Sequence, residues 1–283
     1  MHARTQLIDL VPSTTRFYVA LFLAGAAIVG LLEALYAVMP LLSPHTTDGR
    51  VATFDLDSEG SLAVWVSSFT LLAASGCCLL IYVLGAETKL RSKLWLWAAC
   101  CWTIMSIDEC SSVHEAFKEM MSHLTGERLG PEGIYWWAGA YLVVLSTTGT
   151  AMLWQMRKAP LAVAALFATA GLYALAVLCE LGWPLAKDKS GVMLEEGCEM
   201  LGNFALLTST GLFAKWTTEQ VRSTGDAVIM ESRFEADLEF QPQGASPRVS
   251  RSALGHEYQP VGASPRSGSG IDEGASRFPE TGR

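Results

Sequence analysis

The chain has 283 residues, of which 51% are hydrophobic and only 17% charged, and its formal net charge is −8. A charged fraction this far below the usual ~25% of soluble domains, with apolar residues gathered in blocks long enough for a bilayer core of ~30 Å, predicts an all-α polytopic membrane bundle. The acidic balance, without zinc-finger spacing, a basic stripe or a phosphate loop, argues against nucleic acid as a partner.

Residues 1–16 read as a short N-terminal segment carrying Arg4 and Arg16. The first apolar block, residues 17–39, exceeds the 7–15 residues of a signal-peptide core and reads as a retained first span. Gly25 and Gly30 within it allow close helix approach, and Glu33 sits in its second half. An acidic loop with Asp48, Asp55, Asp57 and Glu59 follows, then an uncharged second span over 61–85 and a basic connection with Lys89, Arg91 and Lys93.

The third span, 94–112, ends in acids. Asp108, Glu109, His114 and Glu115 follow an apolar run directly. Charges within a spanning helix cost roughly 2.5–3.5 kcal/mol each at its centre and less toward its ends. The helical pattern continues to Leu124, and glycines around Pro131 then mark a loop. The fourth span covers 134–155 and opens on Tyr135, Trp136 and Trp137, aromatics suited to a lipid–water boundary. A tight turn at Arg157, Lys158 and Pro160 leads to a fifth span over 161–183, with Glu180 in its last turn. The sixth, 193–214, opens on Glu195, Glu196 and Glu199.

Lysine and arginine near span ends set orientation. With the N-terminus cytoplasmic, inner flanks hold Arg4, Arg16, Lys89, Arg91, Lys93, Arg157, Lys158, Lys215 and Arg222, against Arg50, Lys118, Arg128, Lys187 and Lys189 outside. Both termini are therefore expected in the cytoplasm. Residues 17–222 form the spanning domain in this reading. Residues 223–283 are rich in Ser, Gly, Pro and Glu and are expected to be a disordered cytoplasmic tail. The nonamer Phe-Gln-Pro-Gln-Gly-Ala-Ser-Pro-Arg ending at Arg248 recurs as Tyr-Gln-Pro-Val-Gly-Ala-Ser-Pro-Arg ending at Arg266. Composition favours linker; Ser246 and Ser264 as phosphosites, or a protein partner for the tail, is the other reading. The seven cysteines all lie in or beside apolar blocks, which is cysteine used as a small apolar residue and not a disulfide framework.

This orientation puts Glu33, Asp108, Glu109, Glu180, Glu195, Glu196 and Glu199 in one layer on the non-cytoplasmic side. At about 100° per residue, Asp108, Ser112, Glu115, Glu119 and His123 make one stripe and Glu195, Glu199 and Gly202 another, with Glu196 and Asn203 on its shoulder. On an ideal helix His114 points about 120° away from Asp108. Clustered carboxylates repel unless protonated or bridged by cations, and oxygen-rich ligation with one imidazole suits Ca²⁺, Mn²⁺ or a di-iron pair better than zinc. The expectation is a divalent metal ion held among Asp108, Glu109, His114, Glu115, Glu180, Glu195, Glu196 and Glu199, with His114, Glu115 and Glu199 catalytic. The protein would be a metal-dependent enzyme acting near the headgroups of membrane lipid. A proton- or cation-coupled transporter, or a non-catalytic Ca²⁺- or partner-binding scaffold, uses the same acids in a different way. Membrane hydrolases of the alkaline ceramidase type also carry polar residues on spanning helices, but the His-x-x-x-His pair of their pattern does not occur here.

Overall fold

The computed structural model describes residues 2–42, 51–58, 60–85, 92–130, 133–184 and 188–239. The described residues form eight α-helices and one 3-10 turn, with no strand: α1 (His2–Asp9), α2 (Thr15–Leu42), the turn Ala52–Phe54, α3 (Leu62–Leu84), α4 (Lys93–Ser111), α5 (Val113–Thr125), α6 (Ile134–Met156), α7 (Pro160–Glu180) and α8 (Lys189–Glu239). Two compact units divide the chain, Met1–Ser232 and Arg233–Arg283. The second is described only to Glu239, as helix, so the nonamer repeat lies outside the described residues.

Local chemistry sets the helix ends. Ser61 and Ser92 are N-caps, their hydroxyls accepting from the amides of Val64 and Leu94. Pro160 opens α7 at a position where its missing N–H costs nothing. Gly126 closes α5 in the left-handed region, at φ 74°.

The helices are not equivalent. From Gly191 to Thr218 no side chain of α8 is exposed, and a helix buried all round belongs at the centre of its bundle. Its neighbours confirm the placement. Trp95 of α4 stacks on Phe213 at 4.9 Å between ring centroids. The Ser209 hydroxyl donates to the Ala162 carbonyl of α7 at 2.7 Å and lies 3.8 Å from the Met156 sulfur of α6. Asn203 donates to Ser67 of α3. Phe204 packs on Gly25 of α2, and Tyr18 lies against Gly211.

The surrounding helices turn large apolar side chains outward, among them Leu23, Phe69, Ile104, Leu142 and Phe167. Soluble monomers rarely show contiguous apolar surface on this scale. Among the described residues, three helices are long and apolar enough to cross a membrane: Thr15–Met39, Leu62–Leu84 and Pro160–Glu180. The other three expected spans form helices at the expected places but do not reach that apolar threshold. The reason is visible in two of them. Helix α4 carries Lys93, Asp108 and Glu109, and α8 lies against protein, so its polar residues need no lipid-facing apolar coat.

Two expectations are corrected. The helix beginning at Lys93 does not run on to Leu124. It stops at Ser111, and Ser112 adopts a left-handed conformation at φ 48° and ψ 45°, so the stripe from Asp108 to His123 is cut in two. The last helix does not end near residue 222 but continues to Glu239. All seven cysteines are free thiols.

The central packing gives a direct test. A Cβ on Gly25 would stand 2.4 Å from the Phe204 ring, whereas one on Gly30 meets nothing within 4 Å. Gly25→Leu should destabilise the bundle by about 1–3 kcal/mol, and Gly30→Leu should stay within about 0.5 kcal/mol of wild type. Parallel thermal melts in one detergent compare the two, so the shared gain in helix propensity cancels.

Candidate functional site

The break at Ser112 builds the first half of the site. It turns α5 back toward the end of α4, where Asp108 serves as its capping anion. Asp108 Oδ1 accepts the His114 backbone N–H at 2.7 Å, and Asp108 Oδ2 lies 3.1 Å from His114 Nδ1. A carboxylate is favoured at a helix N-terminus by the unpaired amides there. The Tyr141 hydroxyl of α6 donates to Asp108 Oδ2 as well. Asp108 is buried, with 9% of its side chain exposed, against 32% for His114.

The imidazole is held from two more sides. Its ring centroid lies 5.2 Å from that of Trp137, which in turn packs edge-on against Tyr141. Nδ1 is engaged by Asp108, so Nε2 is the nitrogen left for chemistry, 3.7 Å from Glu115 Oε1. An imidazole oriented through Nδ1 by a buried carboxylate is an arrangement that can serve a general base. Burial alone would lower the pKa of His114. The hydrogen bond and charge of Asp108, with the charges of Glu115 and Glu199, outweigh it and raise the value.

The second half lies between α4, α3 and α8. Glu109 follows Asp108 by one residue, so it points about 100° around the helix, toward α8. Its carboxyl has those of Glu199 and Glu196 and the Ser67 hydroxyl as neighbours. Glu196 has Glu199, Asp57 and Glu180 as charged neighbours. Glu109, Glu196 and Glu199 are each partly buried. Glu33 of α2 reaches the same helix: its Oε1 fills the space that a Cβ on Gly197 would take. One turn beyond Glu199, Asn203 donates to Ser67 and accepts from the Tyr173 hydroxyl of α7. These bonds close the floor.

The expected site residues therefore sort into groups. Asp108 and His114 come together, against the ideal-helix geometry that set them apart. Glu199 and Glu196 are neighbours of Glu109, and Glu180 of Glu196. Glu195 lies toward Cys179 of α7. Glu115 does not join the interior; it is half-exposed and pairs with Lys118 at 2.6 Å. Lys118, expected in solvent, is itself buried, with its stem against Gly133. Among the described residues, no three His, Cys, Asp or Glu side chains stand together as a metal site. Nor does a lysine or arginine among them form an ion pair with Glu109, Glu196 or Glu199.

Sequence reasoning missed Tyr141, Tyr173 and Ser67. A faint signal existed for Tyr141, four residues after Trp137 and hence on its face. Ser67, in an uncharged apolar run, gave none.

The family described as Domain of unknown function (DUF8692) matches residues 17–214. That is well over half of the chain, which therefore belongs to this family. No curated protein and no solved structure matches the chain.

The Asp108–His114 pair has a titration signature. A His whose folded pKa is raised adds stability below its unfolded value of about 6.5, and that stability is lost as pH rises through the folded value. The NMR titration midpoint of His114 should lie above 6.5 and fall in Asp108→Asn. The melting temperature should drop with rising pH across that window in wild type and drop less in the variant.

Proposed function

We propose that this member of the family is a six-span membrane protein, both termini cytoplasmic, that performs acid–base chemistry on a molecule held at the headgroup level of the non-cytoplasmic leaflet. The observation that carries this reading is the Asp108–His114–Tyr141 arrangement opening beside the Glu109–Glu199 pair. His114 Nε2 takes a proton from the attacking group. Asp108 holds the imidazole in the required tautomer and offsets the positive charge that forms. The carboxyl pair supplies the acid. Glu109 and Glu199, neighbours without an ion-paired lysine or arginine among the described residues, would pass the proton to the leaving group.

A divalent cation among Glu109, Glu196 and Glu199 is the alternative counter-charge. The lack of three grouped ligands among the described residues favours the proton. A proton-coupled carrier is the rival use of the same pair. Carriers bind near the midplane through broken helices, whereas these acids sit at the end of the bundle where α4 and α7 finish and α8 begins.

Purified protein in nanodiscs of native lipid extract, assayed for new lipid products by mass spectrometry, tests the reading. His114→Ala and Glu199→Gln should each reduce turnover by about 10²-fold or more. Product formation unchanged in both variants refutes it. Proton-driven uptake in proteoliposomes without lipid turnover assigns the acids to transport instead. A metal load on wild type that disappears in Glu199→Gln would assign them to metal binding.

A further inference from the structure

We propose that Cys179 and Cys198 form a facing thiol pair that closes into a disulfide between the end of α7 and the start of α8. Both are thiols in this structure. The pairing needs no chemistry from His114 or the acids. Its oxidation rests on the orientation proposed above, which puts these helix ends on the non-cytoplasmic side.

The register of the two helices brings the thiols together. A Cβ on Gly202 of α8 would stand 3.5 Å from the Leu172 Cβ and 2.9 Å from the Tyr173 ring of α7. Tyr173 donates to Asn203, and Ser209 to the Ala162 carbonyl, so residue numbers fall along α7 as they rise along α8. On α8, Cys198 lies one turn before Gly202, in the same row. On α7, Leu172, Ala176 and Cys179 follow an i, i+4, i+7 row, and Ala176 and Cys179 are buried. Measured from the Leu172–Gly202 contact, Cys179 lies about 10 Å along α7 and Cys198 about 6 Å along α8 in the same direction. Each Cα–Cβ bond tilts toward the N-terminus of its own helix, so the two side chains lean toward a common level. Both are buried, at 2% and 6% exposure. Cys179 is a neighbour of Cys198, and Glu195 of Cys179. A disulfide needs Cα atoms roughly 4.4–6.8 Å apart. Helix backbones approach closely where side chains are small, and Gly202 and Ala176 are each one turn from the pair.

Disulfides form and persist on the non-cytoplasmic side of cell membranes. In the proposed orientation Cys77, Cys78, Cys100 and Cys101 lie in the cytoplasmic half of α3 and α4, away from that compartment. At the α7–α8 end a thiolate of the pair attacks the disulfide of a thiol oxidant, and the second thiol resolves the mixed disulfide. One disulfide forms in the protein. The oxidant's disulfide is reduced to two thiols, which take up the two electrons and both protons. Cys179 directly precedes Glu180, and Cys198 lies between Glu196 and Glu199. The bond would therefore tie together the helix turns that carry Glu180 and Glu196, already neighbours.

Cells expressing the full-length protein are lysed directly into denaturant with N-ethylmaleimide, and the digested protein is mapped by mass spectrometry without reductant. A peptide pair joined through Cys179 and Cys198 is expected, lost on reduction and absent from Cys198→Ser. Cys77, Cys78, Cys100 and Cys101 should all be alkylated. In parallel, reduced protein in nanodiscs is treated with diamide, which should join Cys198 to Cys179 about tenfold more than to the exposed Cys110. Both thiols alkylated in cells, with no joined pair after diamide, overturns the proposal. A pair that joins with diamide yet is alkylated in cells upholds the facing thiols and overturns the orientation. Turnover of His114→Ala decides the acid–base reading separately.

Discussion

The structure depends on enclosing one helix within the others. Helix α8 touches side chains or backbone from α2, α3, α4, α6 and α7, and it bears Glu195, Glu196 and Glu199 in its first turns. A helix with that sequence facing lipid would lose several kcal/mol for every unsatisfied charge. Faced with Ser67, Tyr173, Glu33 and Glu109 instead, its polar groups find hydrogen-bond partners, and its glycines let the neighbours close in. Gly197, Gly202 and Gly211 each take a side chain from another helix where a Cβ would stand. The small residues of α8 and its acids are thus parts of one solution: the first permit the enclosure, and the enclosure makes the second tolerable.

That division of labour explains what the sequence disclosed. Length and apolarity located five main helices of the bundle within a few residues, and the start of the sixth but not its end, because burying apolar surface along a turn-by-turn pattern leaves its mark in composition. Lysine and arginine placement put Glu33, Glu109, Glu180, Glu196 and Glu199 in a single expected layer; the fold sets Glu109 near Glu196 and Glu199, Glu180 near Glu196, and Glu33 against Gly197. Hydropathy could not reveal which helix is central. A window average counts apolar residues but is blind to whether a polar one meets lipid or protein, so α8 read as one span among six. Three helices meet the strict apolar test; α8, the one with least contact with the surroundings, does not.

Ser112 shows a second limit. Its left-handed backbone is uncommon for a residue with a Cβ and costs roughly 1–2 kcal/mol. The Ser111–Ser112 pair hints at a helix end, since serine competes for backbone hydrogen bonds, but nothing local dictates the turn. It is over-determined by partners that lie elsewhere: the Asp108 carboxylate on the His114 amide, the imidazole on the same carboxylate, and Tyr141 from α6. Ideal-helix projection put His114 on the far side of Asp108. A single residue outside the helical region reversed that, so the pair at the heart of the candidate site was the one periodicity ruled against.

Asp108 and Glu109 then show how adjacent residues can be given unlike work. Their side chains leave the helix about 100° apart, which is enough to deliver one to α5 and α6 and the other to α8. Asp108 meets three donors and is fixed as an orienting anion. Glu109 meets other carboxyls and a hydroxyl. Glu199 links the two, since its charge acts on His114 as well as on Glu109.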